Sequence, residues 1–259
     1  MRIDDLDGKA VLITGASTGI GAVLARGFAA QGARVGLHYN ASRDAAEALA
    51  AEITAAGGKV DLIAADVSTG AGARAAVEQA LAAFGRLDGL INNAGGMVRR
   101  MPYAAAQDVD YDEIMDLNAR SVLVASQVAI APLKAAAAET GDAFIINTTS
   151  VAARNGAGGG AGLYGSAKAF VSNVTRGMAK ELIPFGVRVN AVAPGVITTP
   201  FHERYSTQAQ LDAMLATVPA GRLGTAEECL GAYLFLASKA LSGYVVGQVI
   251  EVNGGQLMP

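Results

Sequence analysis

The chain has 259 residues, 52% of them apolar, and a formal net charge of −3. That length fits one large α/β domain, and the weakly acidic balance offers nucleic acid no basic face. The acidic opening, Met1 to Asp7, lacks the apolar core of a signal peptide, and no run of about 18 apolar residues predicts a membrane-spanning helix.

Short apolar runs alternate with longer Ala-rich stretches. Residues 10–14 read as a strand and 20–31 as a helix. Residues 34–39 and 45–56 repeat the pair, as do 60–64 and 72–84. A strand at 87–91 follows. Two long helices, around 111–134 and 164–184, flank a strand at 143–148, and strands at 187–193 and 249–252 complete the set. This alternation predicts a parallel sheet with helices on both faces. Ala10-Val11-Leu12-Ile13 is apolar throughout, as a sheet buried on both faces requires. Residues 200–225 have weak apolar periodicity and read as an irregular or mobile insertion. No low-complexity linker divides the chain, so residues 1–259 are read as one domain. The single cysteine, Cys229, has no internal partner and lies far from the motifs, which suits a reducing compartment and a structural role. His38 and His202 stand apart, with no His/Cys cluster to hold a metal.

The first strand runs directly into Thr14-Gly15-Ala16-Ser17-Thr18-Gly19-Ile20-Gly21. Glycines there let the backbone turn sharply, approach a ligand and pack a helix against the sheet. The helix start presents free N–H groups and a partial positive charge, which suits a pyrophosphate. A tight strand-to-helix turn with no ligand would have the same spacing. Further along, Tyr164 and Lys168 lie four apart, on one face of a helix. An ammonium beside a phenol favours the phenolate and lowers a pKa that is ordinarily about 10. The pair therefore predicts a proton donor tuned toward neutral pH.

With Asp66-Val67, Asn92-Asn93-Ala94-Gly95, Asn118, Ser150, Pro194-Gly195-Val196-Ile197-Thr198-Thr199 and Val252-Asn253-Gly254-Gly255 in order, these motifs resemble the short-chain dehydrogenase/reductase family. The resemblance runs from near Lys9 to Gly255. It looks most like the single-domain members that include 3-oxoacyl reductases and sugar or polyol dehydrogenases. It implies a Rossmann-type, doubly wound parallel sheet of about seven strands. It also implies an NAD(P)(H)-dependent interconversion of a ketone and a secondary alcohol, a substrate lid at 200–223, and a cytoplasmic homotetramer with no nucleic-acid or membrane partner.

The resemblance assigns roles residue by residue. Gly15, Ser17, Thr18, Gly19, Ile20 and Gly21 would hold the cofactor's phosphates. In this family an acid ending the second strand would bond the ribose 2′-hydroxyl of NAD and repel a 2′-phosphate. That position is Tyr39, and Asn40, Ser42 and Arg43 follow with neutral donors and a guanidinium, so NADP(H) is favoured over NAD(H). Thr18 departs from the Arg or Lys that many NADP-using relatives carry, and Arg43 also reads as a solvated helix start. Asp66, with Val67, would meet the adenine, or else cap the next helix. Asn92, Ala94 and Gly95 would line the ribose and sheet centre, although the Asn92-Asn93 pair also reads as a brace between strands. Pro194, Gly195, Ile197 and Thr199 would hold the nicotinamide carboxamide.

For the chemistry, the resemblance makes Tyr164 the proton donor and Ser150 a hydrogen-bond donor to the substrate oxygen. Lys168 would lower the tyrosine's pKa and bond the nicotinamide ribose, and Asn118 would hold a water linking Lys168 to solvent. Ser150 lies one residue farther from Tyr164 than close relatives commonly show, with Thr148 and Thr149 as rival hydroxyls. The glycine-rich run 156–162 has room to absorb the extra residue. Arg99, Arg100 and Arg154 read as solvated side chains or as contacts to an anionic substrate or carrier. His38 is placed near the adenosine, and His202 at the edge of the substrate cleft. Tyr205, Leu211, Met214 and Leu215 read as substrate contacts or as one helix face. The favoured function is NADPH-dependent carbonyl reduction of the 3-oxoacyl type. NAD-dependent sugar or polyol oxidation is the alternative, and a noncatalytic dinucleotide-binding regulator on the same fold is a third reading.

Overall fold

The computed structural model describes residues 2–258. Among them are nine strands: β1 (Ala10–Ile13), β2 (Arg34–Tyr39), β3 (Lys59–Ala64), β4 (Gly89–Asn92), β5 (Ala143–Thr148), β6 (Val187–Pro194), β7 (Ile197–Thr198), β8 (Gly224–Thr225) and β9 (Val249–Val252). The helices are α1 (Gly19–Ala30), α2 (Arg43–Ala55), α3 (Gly70–Phe84), α4 (Asp108–Met115), α5 (Ser121–Thr140), α6 (Ala152–Asn155), α7 (Gly162–Leu182), α8 (Pro200–Tyr205), α9 (Gln208–Leu215), α10 (Ala226–Ala237) and α11 (Lys239–Ser242). Seven strands form one parallel sheet in the order β3-β2-β1-β4-β5-β6-β9, while β7 and β8 pair separately. The winding reverses at β1, which pairs with β2 on one side and β4 on the other. Such a reversal opens a crevice at the carboxyl ends of the strands.

Strand alternation divides the apolar side chains between two layers. Val11, Ile13, Val35, Leu37, Ile91, Phe144, Ile146 and Val192 pack with α1, α2 and α10. Leu12, Leu90, Ile145, Val187 and Val189 pack on the other face with α3, α5 and α7. All residues of β4, β5 and β6 are buried, the polar Asn92, Asn147, Arg188 and Asn190 included. Gly89 makes room for the Phe144 ring: a Cβ there would lie 2.2 Å from Phe144 Cζ. The same ring neighbours Phe28 of α1, with centroids 6.4 Å apart.

One buried charge pair closes the fold. Arg188 of β6 donates to Asp142 at 2.8 Å, to the Leu236 and Ala237 carbonyls at 2.6 and 2.9 Å, and to Ser242 Oγ at 3.1 Å. The carbonyls at the end of α10, which have no intrahelical partner, thereby gain a cationic donor.

Two features depart from the expectations drawn from sequence. The helix expected around 111–134 begins earlier and ends later, because α4 and α5 are joined by a π-helical turn, Asp116–Arg120. An extra residue in one turn leaves the apolar periodicity on either side intact, so the pattern does not reveal it. The combined helix, Asp108–Thr140, is long and apolar enough to cross a membrane. Ala125, Ala129, Leu133 and Ala137 instead pack it into the core. The second departure is the segment 200–225, expected to be irregular, which holds α8, α9 and β8, the last paired with β7 just before it. Pro200 starts α8, and a reciprocal Thr207/Gln210 cap starts α9. Both helices are too short for periodicity to register. Cys229 is buried in α10, and burial pushes its thiol up to about 12, leaving no reactive thiolate.

Phe144→Ala should lower stability by about 3–5 kcal/mol through the cavity it opens. Truncation of half-exposed Leu241 should cost about 0.5 kcal/mol or less. Urea unfolding followed by circular dichroism measures both.

Candidate active site at the strand ends

A cleft of about 760 Å³ opens over the carboxyl ends of β1, β2, β4, β5 and β6. Its floor is the glycine turn after β1. Gly15 has φ 62°, and a Cβ there would lie 2.9 Å from Ala94 Cα. At Gly21 a Cβ would lie 2.1 Å from the Gly15 carbonyl oxygen. These approaches let α1 begin directly beneath the cleft, which Ser17, Thr18, Gly19, Ile20 and Gly21 line. Thr18 is extended and makes no side-chain cap, so its hydroxyl does not occupy the N–H groups of the first turn.

The turn is braced from β4. Thr14 Oγ1 accepts from the Asn93 and Ala94 amides at 3.0 Å each. Asn93 Nδ2 donates to the Thr14 and Gly15 carbonyls, also at 3.0 Å. Asn92 behaves differently from its expected place beside a ribose. It is buried, does not line the cleft, and donates to Asn147 Oδ1 at 2.9 Å and Ser126 Oγ at 3.0 Å. Strand alternation sends adjacent residues to opposite sides, so Asn92 braces β4 to β5 while Asn93, Ala94 and Gly95 line the cleft.

At the end of β2, Tyr39, Asn40 and Ser42 line the cleft. Arg43 does not. As the first residue of α2, it reaches along the helix to Glu47 at 3.3 Å instead of inward. Asp66 and Val67 form the next stretch of wall, and Asp66 Oδ1 accepts from the Ser68 amide and hydroxyl at 3.0 and 2.7 Å. Helix α3 is capped by Thr69, not Asp66. His38 is a positioning residue whose contacts the sequence does not show. Its Nδ1 accepts from the Gly15 amide at 3.0 Å, which leaves Nε2–H to donate to the Ala65 carbonyl at 3.1 Å. Burial holds its pKa below the ordinary value, so the ring stays neutral.

The other end of the cleft gathers Asn118, Ser150, Tyr164 and Lys168. Tyr164 and Lys168 project from the first two turns of α7. Lys168 Nζ is buried and donates to the Thr148 carbonyl at 2.9 Å. Asn118 sits in the π turn, fully buried, with its amide bonded to Gly96 N, Gly96 O and Ile114 O. It stands across Gly95 from Lys168: a Cβ on Gly95 would lie 2.8 Å from Asn118 Oδ1 and 3.0 Å from Lys168 Nζ. The rival hydroxyls are engaged elsewhere. Thr148 bonds Tyr233 at 2.8 Å, and Thr149 bonds the Lys168 carbonyl at 2.8 Å and Ser172 at 2.7 Å. Ser150 lines the cleft with Tyr164, and its Oγ accepts from the Ala152 amide at 3.1 Å. Between Ser150 and Tyr164 the chain makes left-handed turns at Gly156, Gly159 and Gly160.

The electrostatics differ from the expectation of a lowered tyrosine pKa. Burial pushes the Tyr164 phenol up to about 12, against a smaller downward pull from Ser150. Burial also lowers Lys168 to about 8. Nζ lies 5.8 Å from the Tyr164 ring centre and is directed to a backbone carbonyl, so desolvation outweighs the cation's attraction.

The wall over Tyr164 is Phe201 of α8, 5.8 Å from it between ring centres. Pro194, Gly195, Ile197, Thr199, His202 and Met214 also line the cleft; Tyr205, Leu211 and Leu215 do not. Arg99 is paired with Asp110 and Glu113, and Arg154 faces Glu251 at 3.8 Å. Arg100 lines the cleft.

Lysine burial predicts a pH profile. Between about pH 8 and 10.5 the unfolded chain retains a proton that folded Lys168 has released, so this group makes stability rise with pH. Lys168→Met should flatten the profile over that interval, as read by urea midpoints at stepped pH. An unchanged slope would show that the ammonium is solvated.

Comparison with known proteins agrees with this geometry. The family model described as enoyl-(acyl carrier protein) reductase matches residues 15–256. The 3-oxoacyl-[acyl-carrier-protein] reductase of Synechocystis is 37% identical over 253 residues, covering 98% of each chain. Among solved structures, the NADH-dependent reductase A1-R′ responsible for alginate metabolism has a TM-score of 0.91 at 38% identity, covering 99% of this chain and 100% of that one. The same reductase has also been solved with NAD. A short-chain dehydrogenase from Burkholderia cenocepacia in complex with NADP has a TM-score of 0.87 at 33% identity, covering 97% and 98%. The chain belongs to the short-chain dehydrogenase/reductase family and is an NAD(P)-dependent oxidoreductase.

Proposed function

We propose that the protein reduces a ketone to a secondary alcohol, with NADPH preferred, on a substrate of the 3-oxoacyl type. The observation that carries this reading is the Ser150–Tyr164 hydroxyl pair beside buried Lys168, at the inner end of a cleft whose outer end suits a dinucleotide. The fit rests on the chain's own donors. The uncapped first turn of α1 suits a pyrophosphate, and Asp66 keeps Oδ2 for an adenine amine. Asn93 holds the turn rigid against β4. Bound NAD(P)H would supply the hydride.

Ser150 donates a hydrogen bond to the carbonyl oxygen, where negative charge develops. Tyr164 hands its proton to the same oxygen. A phenol near 12 is a weak acid alone, so Lys168, charged below about pH 8, supplies the compensating field as substrate displaces water. Asn118 fixes Gly96 and keeps the Gly95 backbone between itself and Lys168. Phe201 in the lid, residues 200–223, covers Tyr164 and excludes solvent.

Support for NADPH is the absence of any carboxylate from β2's end among the cleft-lining residues. Asn40 and Ser42 offer a 2′-phosphate neutral donors, while Arg43 contributes nothing directly. The likeness to A1-R′, named NADH-dependent and responsible for alginate metabolism, favours a second reading as an NAD-dependent enzyme of sugar derivatives. A homotetramer in the cytoplasm belongs to the same proposal, and light scattering tests the assembly.

Fluorescence titration with NADPH and NADH should give tighter NADPH binding, and Tyr39→Asp should shift the preference toward NADH by about tenfold. Equal or tighter NADH binding by the native protein would favour the second reading. Tyr164→Phe should lower kcat by about 10²–10⁴-fold while leaving nucleotide affinity intact. A noncatalytic nucleotide sensor would show no turnover to lose.

A further inference from the structure

Two adjacent arginines after β4 have opposite surroundings. Arg99 is neutralised by Asp110 and Glu113. Arg100 has no acidic partner among the described residues. Its Nε donates to the Tyr205 carbonyl at 2.7 Å, Nη1 to the Gly159 carbonyl at 3.1 Å and Nη2 to Ser206 Oγ at 3.4 Å. All three acceptors are neutral, and a guanidinium has five N–H groups, so two remain. The side chain is half-buried and lines the cleft.

The surroundings sharpen the imbalance. His202 and Arg204 line the same end of the cleft. Burial and the charge of Arg100 hold His202 below its ordinary pKa. The one carboxylate among the lining residues, Asp66, follows β3 at the far edge of the sheet. Burial also lowers the pKa of Arg100, with no acid opposing it. The backbone aims the side chain at some cost. Val98 has φ 61°, and the Arg99 amide donates to the Met97 carbonyl at 2.7 Å, closing a three-residue turn. A β-branched residue in the left-handed region is disfavoured and persists where its surroundings over-determine it. Ala157, at φ 48° in the loop that carries Gly159, is strained in the same way.

We propose that Arg100 is a substrate-recognition residue that pairs with a carboxylate, so that among 3-oxo compounds the enzyme acts on the free acid in preference to its neutral ester. This rests on the carbonyl-reductase reading above. The planar fork matches a carboxylate, and a partly desolvated site strengthens the pair. Because Arg100 already joins Tyr205 at the end of α8 to Gly159, an acid bound there also completes the contact between the lid and the glycine loop.

The test compares 3-oxobutanoate with its methyl ester, using the cofactor-loaded native enzyme, Arg100→Met and Arg100→Lys. The native enzyme should prefer the acid by about tenfold or more in kcat/KM, and Arg100→Met should abolish the preference through KM while sparing the ester. Arg100→Lys should restore part of it. A parallel fall on both substrates in Arg100→Met would make Arg100 a lid clamp alone and overturn the proposal, as would a native preference for the ester. Titration of the cofactor-loaded enzyme with glutarate and with dimethyl glutarate gives the same comparison without turnover. Tighter glutarate binding that Arg100→Met abolishes supports the proposal; no preference for the acid overturns it. Ester reduction without acid preference would sink this proposal only, whereas failure to bind either nucleotide would sink the carbonyl-reductase reading with it.

Discussion

The reversal of winding between β1 and β4 is the constraint on which the rest of the molecule depends. Two parallel neighbours whose crossovers leave on opposite faces must separate at their carboxyl ends. The gap exposes backbone groups that need partners. Thr14 and Asn93 supply them, tying the glycine turn to the loop after β4 by four hydrogen bonds at 3.0 Å. Beneath this clasp, Asn92, Asn147 and Thr175 continue a buried polar chain across β4, β5 and α7. These bonds are satisfied internally, so the cleft walls are rigid before any ligand arrives. The helix that carries Tyr164 and Lys168 is fixed to the same chain through Thr175.

Rigidity at the floor is matched by electrostatic tension at the inner end. Burying a phenol and an ammonium together raises one pKa and lowers the other, because desolvation disfavours both charged forms. In the free protein the phenol is held neutral and the ammonium has no counter-charge among the described residues. In the proposed reaction the developing negative charge on the substrate oxygen, and then the phenolate left when that oxygen takes the proton, give the ammonium its counter-charge. This is stabilisation that appears as the reaction proceeds, not on ground-state binding. The π turn contributes by swinging Asn118 into line with Gly96 without breaking the long helix that anchors it.

The upper wall is built from weaker parts. Helices α8 and α9 are short, none of their residues is fully buried, and the β7–β8 pair is two residues long. Their attachment to the body includes Phe201 on Tyr164 and Arg100 on Tyr205 and Ser206. A segment held by few contacts opens at low cost, which suits a cover that must admit substrate. Both attachments involve residues that face the cleft, so under the proposed function closing the cover and recognising the substrate would draw on the same side chains.

By itself, the sequence determined the alternating strands and helices, because side-chain period is a local property. It also determined the glycine turn and the Tyr164/Lys168 pair, whose spacing is short enough to read directly. Tertiary structure decided what depends on direction. Asn92 and Asn93 are adjacent letters, yet the pleat sends one into the brace and the other to the cleft. Arg43 and Glu47 were within reach of each other along one helix, so a guanidinium suited to phosphate turned away. Arg99 and Arg100 part in the same manner, one meeting acids and the other only carbonyls and a hydroxyl. The tyrosine's pKa followed burial, which no spacing records. The physical reason is common to all four: a residue's chemistry is set by what surrounds it in space, and a linear pattern encodes surroundings only within a turn or a strand.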